Sequence, residues 1–208
     1  MGTLGLGATA GNLLVAFAAQ SASVATPTCA TGFTVNTTKA LFNASAASVW
    51  VAYKIATGGE TTATFTPGAG GTINGVTIWE LSGAANPIAL DFTPPVHTDN
   101  ITAAVSGNLA VTTTVPGSIV LIGVGRNSSF GTVGAWTGTN VATNAASGTA
   151  RCFGGSFLTT STISSTFTAN WATSGIAGML GIAFQPAVVS GRSRILTVLQ
   201  AAARGAVR

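Results

Sequence analysis

"GNLLVAFAAQ", residues 11–20, has a near echo in "GSIVLIGVGR", residues 117–126. Each opens on glycine, runs through a short apolar burst and closes on a polar side chain. Bursts this short fall below the ~20 apolar residues of a membrane-spanning helix. They suit a strand buried in a sheet. Two of them, 106 positions apart, suggest that one architectural unit is written twice in 208 residues.

Other landmarks keep nearly the same distance. Phe33 in "TGFTVN" maps to Trp136 in "GAWTGTN", 103 positions on, and Phe65 in "TATFTP" to Phe167 in "STFTAN", 102 on. Gly75 in "INGVTIWEL" maps to Gly178 in "IAGMLGIAF", again 103 on. Solenoid repeats are shorter and need at least three copies, so a duplicated half-domain is the better reading. The first copy reads as the strands "LLVAFA", "SVWVAYKIA", "TATFT" and "VTIWEL"; the second as "SIVLIGVG", "ARCFGGSFL", "SSTFTA" and "MLGIAFQ". In "SVWVAYKIA", Val49, Val51, Tyr53 and Ile55 share one face, with Trp50, Ala52 and Lys54 on the other. That is the period of a strand. Between the copies, "ITAAVSGNLAVTTTV" adds two short runs around Ser106-Gly107-Asn108. Gly/Pro turns such as "TPGAGG" and "FTPPVH" punctuate the chain.

Composition agrees with an all-β reading. Charged residues make up only 6% of the chain and mean hydropathy is +0.54, yet the apolar runs are broken by Thr, Ser, Asn and Gly. A surface with so few charges disfavours a free monomer and suits a chain packed in an assembly. "LLVAFAA" followed by "SASVA" mimics a signal peptide, but residues 1–12 hold no Lys or Arg, and the pattern recurs internally. It is expected to be a strand. The expected fold is a jelly-roll-like β-sandwich of two half-repeats over 1–187, with a short amphipathic C-terminal helix in a basic tail, 188–208. One sandwich is favoured over two small ones because the 84–116 connection is strand-rich.

"GNLLVAF", "GFTVN", "VAYKIATGGETTATFT" and "WELSGA" together resemble a jelly-roll/β-sandwich family of tailed-bacteriophage virion structural proteins. That family runs Gly-Asp-Leu-Leu-Val, Gly-Trp-Thr, an aromatic-rich strand ending in Ala and a Glu-Thr turn, and an aromatic-Arg-Gly-Ala strand. The similarity spans roughly 7–187 and rests on packing and turn motifs. This chain departs from it at Asn12, where Asp is usual, and at Leu81-Ser82, where Arg is expected. The resemblance implies a virion structural role, assembled in a host cytoplasm.

Catalytic chemistry is sparse. The acids are Glu60, Glu80, Asp91 and Asp99. Glu60 sits in a turn, and Glu80 is expected to face outward or to pair with Lys39, Lys54 or Arg126. No facing carboxylate pair of the glycosidase type is evident. His97, the only histidine, reads as a surface-loop residue near Asp99, with no Gly-x-Ser-x-Gly elbow to supply a nucleophile. The ligand set is too small for zinc, and Asp91 and Asp99 are too few for calcium. Cys29 and Cys152 occupy non-equivalent repeat positions and read as free thiols. "GAGG", 68–71, lacks the Lys-Ser/Thr of a phosphate loop and reads as a flexible turn. Trp50, Trp79, Trp136 and Trp171 are expected in the core; a sugar-stacking platform is the other reading. No enzyme, cofactor or metal is expected.

The tail, "VVSGRSRILTVLQAAARGAVR", is different. The four cations of 1–187 balance the four acids, so Arg192, Arg194, Arg204 and Arg208 supply the whole net charge of +4. Residues 193–204 favour a helix capped by Ser190 or Ser193. Ile195, Val198, Leu199, Ala202 and Ala206 would share one face, with Arg194, Arg204 and Arg208 opposite. Such a helix suits a groove on another protein better than its own domain, a membrane or nucleic acid. Arg192, Arg194, Ile195, Val198, Leu199 and Arg204 are therefore the expected partner-binding residues. The expected partners are other virion proteins and further copies of the chain, with no nucleic acid and no membrane. The expected role is a capsid decoration or head-accessory subunit; the alternative is a host-glycan-binding module of a tail fibre or spike.

Overall fold

The Gly-led stretches form the central strands of two antiparallel sheets. The structure is a computed structural model. It describes residues 2–3, 7–30, 32–92, 95–126, 130–131, 142–144, 152–189, 192–193 and 197–199. Every named element among them is a strand. The principal strands are β1 (Leu13–Ser21), β2 (Ala47–Ile55), β3 (Thr72–Ser82), β4 (Val96–Thr112), β5 (Ile119–Gly125), β6 (Cys152–Leu158), β7 (Ser164–Phe184) and β8 (Thr197–Leu199). The first sheet runs β8-β3-β1-β2 and ends on Thr34–Val35; the second runs β4-β7-β5-β6 and ends on Ala142–Asn144.

The duplication is visible in the register. β1 lies between β2 and β3 as β5 lies between β6 and β7. Leu13 stands opposite Ile55 and Leu81; Ile119 stands opposite Leu158 and Phe184. Towards the other end, Ala19 faces Val49 and Gly75, while Gly125 faces Cys152 and Gly178. All of these partners keep the offsets of the sequence, 106 for the central strand and 103 for its neighbours. The two sheets pack face to face with β1 against β5, β6 against β3 and β7 against β2. Equivalent residues meet: a Cβ added to Gly123 would run into Phe17, and one added to Gly125 into Ala19.

Burial on both faces explains the unbroken apolar bursts. Leu13, Val15, Phe17 and Ala19 enter the cluster between the sheets, joined by Val49, Val51, Trp79, Leu81, Ile119, Leu121, Leu180, Ile182 and Phe184. Both halves therefore build one central core. Leu14, Ala16 and Ala18 face the other way, under Trp50, Ala52, Ile78 and Phe65. In the second half Val120, Ile122 and Val124 face outward, under Phe153, Phe157 and Phe167. Phe65 and Phe167, matched in sequence, thus cover the outer faces of equivalent strands. Trp136, the expected match of Phe33, lies outside the described residues.

Three expectations change. The runs around Ser106-Gly107-Asn108 are one strand, β4, which pairs through that point with Asn170, Ala169 and Thr168 of β7. Gly107 is there for closeness rather than for a turn: a Cβ would press on Ile101, Met179 and Trp171. "SSTFTA" and "MLGIAFQ" are likewise one strand, β7. Register shifts between Thr98 and Ser106 let the β4–β7 pair bend. Its far half then folds over the outer face of the second sheet, where Leu109, Val111 and Phe167 pack. Finally, the expected helix over 193–204 lies mostly outside the described residues. Its described parts are extended: Ser193 in a short strand with Arg192, and Thr197–Leu199 as β8. The open edge of β3 offers unpaired backbone groups that a three-residue strand can satisfy.

Candidate functional site

The four carboxylates are all engaged with the fold. Glu60 closes its own turn: its oxygens accept from Thr57 N, Thr57 Oγ1 and Gly58 N at 2.8–2.9 Å, and Lys54 Nζ lies 2.8 Å away. Desolvation alone would raise its pKa, but Lys54 and the Thr57 donors outweigh it and hold the carboxyl well below the usual range. Glu80 corrects an expectation. It is 8% exposed and accepts from Thr9 N at 2.8 Å and Asn12 Nδ2 at 2.6 Å, instead of facing outward or pairing with a cation. This contact also gives a reason for asparagine at position 12, since an aspartate there would set two carboxylates against each other.

Asp91, also buried, accepts from Thr114 N, Thr114 Oγ1 and Val115 N and so ties the start of the 113–118 turn. Asp99 accepts from Leu41 N at 2.8 Å and lies 3.0 Å from His97 Nδ1. His97 is exposed as expected but stands on β4 rather than in a loop. Among the described residues no group of three or more His, Cys, Asp or Glu is placed to hold a metal.

Other candidates also fall into structural roles. Arg126 is 2% exposed, stacks over Phe130 and donates to the carbonyls of Thr173 and Ser174 at the bend of β7. Burial lowers its pKa. Cys29 and Cys152 are both free, with burial pushing the thiols up to about 11 and about 12, so neither is a ready thiolate. Trp50, Trp79 and Trp171 are buried. The "GAGG" turn is clamped rather than flexible: Gln20 Oε1 accepts from Gly68 N, and Gly71 N donates to Gly68 O.

Gln20 is the polar residue that sequence reasoning passed over. Fully buried at the end of β1, it also donates to Ser23 O and Ala25 O. Ser48 Oγ donates to Ser23 O and Lys39 Nζ to Val24 O, so three side chains fasten the 22–27 loop. The available signal was the abrupt change from "LLVAFAA" to Gln, a strong donor and acceptor with only apolar neighbours before it.

The tail residues divide. Arg192 pairs with Val189 in a two-stranded hairpin, Val188–Val189 with Arg192–Ser193, that joins neither main sheet. Val198 stands opposite Leu81 and Leu199 opposite Glu80 in the β8–β3 ladder. Arg194, Ile195 and Arg204 lie outside the described residues. Of the described tail residues, Val198 and Leu199 stand together at the edge of the first sheet, while Arg192 lies in the separate hairpin. Among the described residues no helix is long and apolar enough to cross a membrane.

Comparison of the chain with protein-family models, with curated proteins and with solved structures gave no match.

Proposed function

We propose that this chain is a non-enzymatic structural subunit of a tailed-phage particle, a capsid decoration or head-accessory protein built on a jelly-roll-like sandwich. Its basic tail is the attachment element, contributing Arg192, Arg194, Ile195, Val198, Leu199 and Arg204. The observation that carries the non-enzymatic reading is the engagement of Glu60, Glu80, Asp91 and Asp99 with neighbouring backbone and side-chain donors. A carboxylate so occupied is a poor general acid or base, because the proton transfer would break the contacts that hold the fold. The virion assignment draws on the Gly-led strand and turn motifs and on a sandwich whose charge balances without the tail. The glycan-binding alternative loses support from Trp50, Trp79 and Trp171, which are buried and offer no stacking surface.

The test is incorporation of tagged variants into particles lacking the native protein. Ending the chain after Val189 keeps the Ala84–Pro186 bridge and the Ala187 N to Gly83 O bond. That form should stay folded and lose attachment. Attachment at wild-type occupancy would make the sandwich the binding surface and refute the tail's role.

A further inference from the structure

β8 is a small addition to a long edge. It covers Glu80, Leu81 and Ser82 of β3, while β3 runs from Thr72 and has only β1 and β8 as strand partners among the described strands. Its ladder is antiparallel and complementary to the backbone of β3, not to any one molecule's copy of it. An identical strand from another chain would make identical hydrogen bonds. The choice between the two is set by the connection and by local concentration. The eight links from Val189 to Thr197 reach roughly 26 Å when extended, enough to leave the parent edge if the Val188–Ser193 hairpin opens. That hairpin holds only two residue pairs and joins neither sheet. Closing the tail back on its own domain also costs loop entropy that a close neighbour would not demand in the same form.

We infer that Thr197–Leu199 is an exchangeable strand, and that in the assembled state it adds to the β3 edge of a second copy of this chain. This rests on the multicopy reading above: within the tail, Thr197–Leu199 would hold one copy to the next, so that attachment to the particle is made by linked copies rather than by single chains. A bare edge strand is an aggregation site that proteins cover. Reciprocal or head-to-tail exchange would keep the Glu80–Ser82 stretch of each edge covered while linking subunits.

The register supplies the test. Thr197 stands opposite Ser82, and opposed residues of an antiparallel pair have Cα atoms about 4.5–5.5 Å apart, within disulfide reach. Ser82→Cys and Thr197→Cys chains carrying different tags are co-expressed, purified together and oxidised at several protein concentrations. The expected product is a mixed dimer whose digest contains the 82–197 cross-linked peptide, and whose share falls on dilution. The double variant, Ser82→Cys with Thr197→Cys, should link within one chain when dilute and between chains when concentrated. A double variant that links only internally, with no mixed dimer at any concentration, would show a fixed tail and overturn the proposal. Failure of both to link would overturn it too, by removing the pairing itself. The assay uses no particle, so its result is separate from that of the incorporation test.

Discussion

Gly123→Ala should destabilise the sandwich, and removing Phe17 as well should cancel most of the added penalty. Gly123 and Phe17 occupy equivalent positions of the two halves and meet between the sheets. A methyl on Gly123 would overlap Cδ1 and Cγ of Phe17 and lie 2.9 Å from its Cβ. Phe17 is itself held edge-on against Trp79, with ring centroids 5.6 Å apart, so it has little freedom to retreat. Overpacking of this kind costs about 1–3 kcal/mol. Alanine returns about 0.4–1 kcal/mol by restricting the unfolded chain, which leaves a net loss of roughly 1–2 kcal/mol. Phe17→Ala alone should cost about 3–5 kcal/mol through the cavity it opens. In the double variant the new methyl enters that cavity, so its loss should not exceed that of Phe17→Ala. Urea denaturation of the four proteins, read as midpoint shifts at constant slope, gives the cycle. Additive losses to within about 0.5 kcal/mol, or a neutral Gly123→Ala, would refute the face-to-face contact.

Two further outcomes concern the carboxylates. Asn12→Asp should destabilise at neutral pH by about 2 kcal/mol, the scale of a lost charge-assisted hydrogen bond. An unchanged denaturant midpoint would contradict the Asn12–Glu80 geometry. Glu60→Gln should show a loss that depends on pH. The folded pKa of Glu60 is depressed, so its stabilisation is present above about pH 4.3 and is lost as pH falls through the folded value. Denaturant midpoints of wild type and variant should therefore differ at pH 7 and converge in strong acid; parallel profiles would show that Lys54 and Thr57 do not hold the charged form.

The half-repeat was legible because its markers are local. A glycine before an apolar burst and an aromatic in a Thr-rich strand recur at fixed spacing, and the ladders kept that spacing. The inward and outward faces of "SVWVAYKIA" followed from alternation alone. What alternation could not show is where a strand continues through a glycine. Gly107 reads as part of the break between two short runs, but its missing side chain makes room for Ile101, Met179 and Trp171, all distant in sequence or hidden by the bend. Glu80 was misread for the same reason: its partner, Asn12, lies 68 positions away. Thr197–Leu199 carries a helical spacing of apolar residues, yet the free edge of β3 decides its conformation. The site expectations on Arg194, Ile195 and Arg204 stand on sequence alone.

The meeting of Phe17 with Gly123 has a consequence for how this chain can vary. The two halves share a backbone plan but no longer share a filling. A chain carrying the first half twice would set phenylalanine against phenylalanine, and one carrying the second half twice would face glycine with glycine across an empty gap. Bulk on one side has become the mould for absence on the other. A substitution accepted in one half therefore changes which residues its counterpart tolerates, and the halves are bound to change in step although neither can replace the other.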